Sequence, residues 1–332
     1  IDNCGSELHK RLTDLIKRSG SRLSLVTVEY DIRDDLPDGT LCYRLEAASE
    51  EVIKKLLARR FPELSANDVQ KVAEFSDGNA RVAFALAGAS DHRDDLAQLG
   101  DDDLFRRLFQ QKHGESDELL TCAETASLLY SFDGVDTSAS SELSALATLA
   151  DVSVMTFSRH ITELQRRGLV QERGQWRAIL PHAIANRLAA RALDGVSKSV
   201  LIRSLVDDAS DRVAKSFSRR LGYLHRVRSA QQVVRELLKP GGRFSDLAHL
   251  TELGRDMLRN VAPVAPEAVL RLLKRAIAEG SLSADESDRS QFVRVARSLA
   301  YEADMFDDAL DVLLELARSK PDGRIGQSPG EA

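Results

Sequence analysis

The spacing of apolar and polar positions changes character twice along the chain. In the first fifty residues it switches between helix and strand periods. Leu8, Leu12, Leu15 and Ile16 share one helical face behind Ser6, a capping residue type, and predict a helix to about Arg18. Gly20 ends that helix, and the run Leu23–Val28 reads as a buried strand. A polar turn from Asp34 to Gly39 then leads to a second short strand, Leu41–Leu45. From Ser49 the period is helical throughout. Val52, Ile53, Leu56 and Leu57 stripe a helix that Pro62 ends; Ser65–Phe75 forms another, and the turn Asp77-Gly78-Asn79 launches a third from Ala80. The acid-rich stretch Asp91–Asp103 reads as a linker or a solvated helix start.

Between about Leu119 and Leu193 the order of elements is different. Two helices, about Leu119–Ser131 and Ser141–Leu149, precede a helix from Ser153 to Arg167 that Gly168 stops. The segment Leu169–Arg177 then reads as a hairpin with Arg173-Gly174-Gln175 at its tip. Helix, turn, helix and hairpin in this order are the pattern of a winged helix. Met155, Phe157, Ile161 and Leu164 are expected to serve packing in its third helix. From about Val196 the chain is almost wholly helical, punctuated by Pro240-Gly241-Gly242, Pro263, Pro266, Gly280 and Pro321, which suggests short helices in series. Phe306, Ala309 and Pro321 fit one tetratricopeptide spacing, with no second copy, so the expectation is a helical repeat-like array.

Composition narrows the function classes. The 332 residues suffice for two or three domains, and 43% hydrophobic with 30% charged residues is a globular balance. The longest strongly apolar stretch, Val82–Ala89, is far short of a membrane span, so no membrane role is expected. A net charge of −6 argues against a nucleic-acid coat protein. One local stripe, 212–243, carries nine Lys or Arg against the single acid Glu236 and leaves nucleic acid open as an unfavoured partner. Cys4, Cys42 and Cys122 are odd in number and far apart, which fits a reducing cytoplasm rather than a disulfide or zinc framework. The sequence contains neither G-x-x-x-x-G-K-[ST] nor G-x-G-x-x-G. A G-x-S-x-G match at Gly326–Gly330 sits in a Pro/Gly-rich tail without the strand and helix that a nucleophile elbow requires. The chain opens Ile1-Asp2-Asn3-Cys4, and the expectation is that it starts inside a longer protein.

The order of these parts resembles the C-terminal portion of a STAND-class P-loop NTPase, the class of NB-ARC proteins and bacterial antiviral STAND sensors. The resemblance implies a mostly α chain with a truncated α/β P-loop NTPase core. It divides the chain into the end of the core (1–46, with Walker B and sensor 1), a helical lid (47–112), a winged helix (113–195) and a helical repeat-like region (196–332). Four residues carry it. Ile1-Asp2-Asn3 looks like the end of a Walker B strand, where Asp2 would help hold Mg²⁺ and serve hydrolysis; on residue type alone, Asp2 or Asn3 reads first as a helix cap. Arg33 follows the strand that resembles sensor 1 and could fork onto a γ-phosphate, or pair with Asp34 or Asp35. Gly78-Asn79-Ala80-Arg81 resembles the start of a sensor 2 helix, so Arg81 would meet a phosphate near that helix N-terminus; otherwise it is a solvated arginine. His182 stands where the class carries a histidine on the β-phosphate of ADP, with Pro181 and Ala183 replacing the flanking Met and Asp; the bland alternative is a capping or core histidine.

The resemblance implies a switch controlled by ATP and ADP. ADP would hold core, lid and winged helix closed. A protein ligand on the C-terminal helices would open them and permit self-oligomerisation, in a setting of antiviral defence. The competing reading is a DNA-binding winged-helix regulator or an AAA+ initiator-like protein. In it Arg159, His160, Arg166 and Arg167 would lie near DNA and the wing Arg173 on phosphate.

Overall fold

The computed structural model describes residues 1, 4, 6–20, 22–28, 40–43, 48–89, 96–109, 117–280, 286–300 and 303–318. The chain divides into two units, Ile1–Ala48 and Ser49–Ala332.

In the first unit, α1 (Ser6–Ser19) forms where the helical period predicts it. The Ile1 amino group donates to the Val26 carbonyl (2.7 Å), the Val28 amide to the Ile1 carbonyl (2.9 Å) and the Cys4 amide to the Val28 carbonyl (3.0 Å). Both segments advance along the contact in the same direction, so they lie side by side in the parallel sense with α1 as the crossover between them. The expected buried strand is nevertheless not built. Residues 22–27 are extended without a ladder, and Leu23 and Val26 remain 69% and 76% exposed. The expected second strand is absent from 40–43 too, where Leu41 and Tyr43 are exposed. An apolar run becomes a buried strand only when neighbours cover both faces and both edges; among the described residues of this unit, Ile1 and Cys4 are the only backbone partners of the 22–28 segment.

The second unit is mostly helical, with one three-stranded antiparallel sheet. Its first group comprises α2 (Glu50–Arg60), α3 (Ala66–Ser76), α4 (Ala80–Ala89) and α5 (Asp101–Arg107). Serine caps set two of these starts: Ser49 Oγ accepts from the Val52 amide and Ser65 Oγ from the Asp68 amide. Ile53, Leu57, Val72, Ala83 and Leu86 form the core among them.

The next group runs α6 (Glu118–Ser127), β1 (Phe132–Asp133), α7 (Glu142–Leu149), α8 (Val154–Arg166), β2 (Val170–Arg173), β3 (Trp176–Ile179) and α9 (His182–Gly195). The sheet order is β1-β3-β2, with Phe132 opposite Arg177 and Val170 opposite Ile179. Ser141 and Ser153 cap α7 and α8, and Gly168 (φ +75°) takes the left-handed conformation that ends α8. Gly174 (φ +57°) turns the β2–β3 hairpin at the expected tip. Phe157, Ile161 and Leu164 are buried as expected, whereas Met155 is 60% exposed. It stands in the first turn of α8, ahead of the stretch whose apolar face the neighbouring helices cover.

The remaining helices are α10 (Lys198–Ile202), which continues into a π-helical turn, α11 (Asp211–Gly222), α12 (Arg228–Leu238), α13 (Glu252–Val261), α14 (Pro266–Ala278), α15 (Glu286–Leu299) and α16 (Phe306–Arg318). α11 packs on α13 so closely that a Cβ at Gly222 would lie 2.4 Å from the Asn260 carbonyl oxygen. Of the residues with tetratricopeptide spacing, Ala309 is buried, Phe306 is half exposed, and Pro321 lies outside the described residues. Among the described residues no helix is long and apolar enough to cross a membrane.

Candidate functional site

Arg81 stands in the first turn of α4, and its surroundings define a cleft. The turn Asp77-Gly78-Asn79 forms as predicted, with Asp77 and Gly78 at positive φ (46° and 74°). Asn79 Oδ1 accepts from the amides of Arg81 (3.1 Å) and Val82 (3.3 Å). The orphan N–H groups that attract an anion to a helix N-terminus are therefore partly satisfied by Asn79, and the side chain of Arg81 is what remains for a ligand. That side chain runs beside the end of α8, where a Cβ at Gly168 would lie 3.9 Å from its Cγ.

The cleft between α2/α4 and α8 holds about 1150 Å³. Arg60, Arg81, Arg159, Arg166 and Arg167 line it against a single acid, Glu163. Glu163 is already engaged, by Arg167 Nε at 2.9 Å and Arg166 at 3.7 Å. Arg167 also donates to the Leu108 carbonyl (3.0 Å), and His160 lies 3.4 Å from Glu118. Arg60 rests its guanidinium on the Phe84 ring, 4.9 Å from the centroid. Arg81 and Arg159 have no ion-pair partner among the described residues and are exposed. The carbonyl end of α8 supplies about half a negative charge, well short of balancing the excess. Phe61, Phe84, Ala85 and Ala89 give the opposite wall an apolar face.

His182 is in a different place and does not line this cleft. It opens α9, as its position after the hairpin predicts, and its ring stacks on Tyr130 (5.3 Å) and on Tyr223 (5.8 Å). The two tyrosines also stack on each other at 5.9 Å. Arg219 lies over Tyr130 at 3.8 Å, and Arg220 lies 5.7 Å from the same ring. Burial, with the Arg220 and Arg219 charges adding to it, pushes the His182 imidazole down to about 4, so the ring is neutral at physiological pH. Arg220 is fully buried. Its Nη1 donates to Asn186 Oδ1 at 2.6 Å, while Nε and Nη2 find no acceptor among the described residues. Burial lowers its pKa to about 10, which leaves it charged. This junction of α6, α9 and α11 was not anticipated. Its signal lay in the apolar face of α11, where Arg220 follows Val213 and Phe217 at helical spacing.

Asp2 and Arg33 lie outside the described residues. Next to them in sequence, the buried His9 bridges Thr27 Oγ1 (2.9 Å) and Thr40 Oγ1 (3.0 Å), a core role that ties α1 to the extended segment. The basic stripe 212–243 is largely consumed by internal partners. Arg212 is bound to Glu142 and covers Trp176, Lys215 is bound to Asp256, Lys239 to Glu236, and Arg219 and Arg220 belong to the tyrosine junction. Among the described residues no group of three His, Cys, Asp or Glu side chains could hold a metal ion. All three cysteines are free thiols, and burial pushes Cys122 up to about 12. No protein-family model matches the chain, and no curated protein or solved structure is significantly similar to it.

Proposed function

We propose that this chain carries the switching part of a STAND-type NTPase, controlled by ATP and ADP and serving as a defence sensor. One observation carries the reading. Backbone hydrogen bonds join Ile1 and Cys4 to Val26 and Val28 in the parallel sense with α1 between them, the kind of contact that a β-α-β connection between the Walker B and sensor 1 segments of such a core would require, although no strand ladder forms over 22–27. The exposed Leu23, Val26, Leu41 and Tyr43 fit a sheet whose further strands would cover them. In the second unit, the order helix, strand, helix, helix, strand, strand with the third strand central supports a winged helix at 117–195, following a helical lid. On the same reading the helices from α10 onward would form the sensing array.

The guanidinium of Arg81 suits a phosphate oxygen, because it has no carboxylate partner among the described residues. Asp2 would be the residue to hold Mg²⁺, which supplies charge neutralisation between phosphates when bound. His182, neutral in its stack, would act as a hydrogen-bonding group rather than a cation. The DNA-binding alternative is less well supported. Arg159 and Arg166 of α8, and Arg167 at its C-cap, line a cleft walled by α2 and α4, whose volume is of the order of a small-molecule site rather than a duplex.

In protein expressed from its complete reading frame, Arg81→Ala should weaken ADP binding by about tenfold or more, the loss of one charge-assisted phosphate contact. Titration calorimetry measures it. An ADP affinity unchanged by Arg81→Ala and by His182→Ala would remove both residues from the nucleotide site.

A further inference from the structure

The cleft between α4 and α8 has properties that the nucleotide reading of Arg81 does not use. Three of its arginines, on three helices, carry no salt bridge among the described residues: Arg60 on α2, Arg81 on α4 and Arg159 on α8. The one acid present is occupied by Arg166 and Arg167. Like charges gathered around one concavity repel, and a cluster that no internal carboxylate relieves is relieved by a bound polyanion. Arginine forks favour planar, multiply accepting oxyanions, of which phosphate is the commonest. The volume of about 1150 Å³ is slightly above the usual range for small-molecule sites.

We propose that this cleft is a binding site for a small ligand bearing two or more phosphate groups, which bridges Arg81 on α4 to Arg159 on α8. A single phosphate would satisfy one wall only; a chain of phosphates spans both and offsets the charge excess of each. Binding would tie the α2–α5 group to the group that contains the sheet, so it would stabilise the second unit as a whole. The site rests on the nucleotide switch only in sharing Arg81. Arg159 belongs to the cleft alone.

Inorganic tripolyphosphate is the probe, titrated into the 332-residue chain at low ionic strength, with the shift in melting temperature as a parallel readout. Saturable 1:1 binding is expected, with a rise in melting temperature. Arg159→Ala should weaken binding about tenfold or more, and Arg159→Lys should lose less, because it keeps the charge without the fork. Arg159 is exposed, so neither variant disturbs the core. Absence of saturable binding overturns the proposal, as does binding that Arg159→Ala leaves intact. Tighter binding of a short DNA duplex, displacing the tripolyphosphate, also overturns it in favour of a nucleic-acid surface. ADP affinity of the complete protein separates this site from the switch. Loss of ADP with Arg81→Ala but not with Arg159→Ala, while tripolyphosphate binding falls with both, supports a site that overlaps the ADP site at Arg81 and extends to Arg159; loss of ADP with both variants overturns that extension and makes the cleft the ADP site itself.

Discussion

The residue that most distinguishes this molecule is Arg220, a cation with no exposed surface whose one hydrogen bond among the described residues is to Asn186. A buried charge is costly when its partners are incomplete, and removing its last acceptor is worse than removing the charge itself. Arg220→Met is therefore expected to be neutral or mildly stabilising, whereas Asn186→Leu should cost about 2–4 kcal/mol. Urea denaturation midpoints compare the two, and equal losses would contradict this account of the junction. His182 beside it makes stability depend on pH. Its folded pKa, near 4, lies below the ordinary 6.5, so between these values the unfolded chain binds the proton and the folded one does not. The stability it contributes is present above about pH 6.5 and is lost as pH falls toward 4, by about 2 kcal/mol once partial solvent access is allowed for. His182→Phe should flatten this part of the pH profile in thermal melts, and an unaltered slope would contradict the assignment. From sequence, His182 was legible as a residue of interest through its place after the hairpin. Its aromatic partners were not, because Tyr130 and Tyr223 are 93 positions apart and only tertiary packing brings them together.

At the scale of elements, the sequence was most legible where local chemistry decides the outcome. Ser49, Ser65, Ser141 and Ser153 each announce a helix by offering an oxygen to orphan amides, and the helices begin where they stand. Gly168 and Gly174 fixed a helix end and a hairpin tip for the same reason, since both need a left-handed backbone. Strands were less legible. Leu23–Val28 has the composition of a buried strand, but a strand is completed by its neighbours rather than by itself, and Leu23 and Val26 stay exposed. The basic stripe 212–243 was legible only as a run of charge, not as the set of internal partners that several of its residues find. Charge counted along the sequence ignores the helical period, which turns Arg212, Lys215, Arg219 and Arg220 toward different internal partners. The cleft escaped for a related reason, because its arginines come from helices whose approach no local pattern encodes.

For the whole molecule, two independent features bear on the proposed switch. In the first unit the hydrogen bonds of Ile1 and Cys4 to Val26 and Val28 give a parallel contact across α1. In the second, a helical group, a group with a β1-β3-β2 sheet and a series of helices follow one another, the order that the proposed switch would require. A net charge of −6 over the chain coexists with a cleft where five arginines meet one glutamate, so the positive excess there is local. The most direct test is to denature protein purified from the complete reading frame and quantify the nucleotide it releases. The account predicts ADP at close to one equivalent per chain. Protein that releases no nucleotide, and that takes up neither ADP nor ATP when they are added, would contradict it.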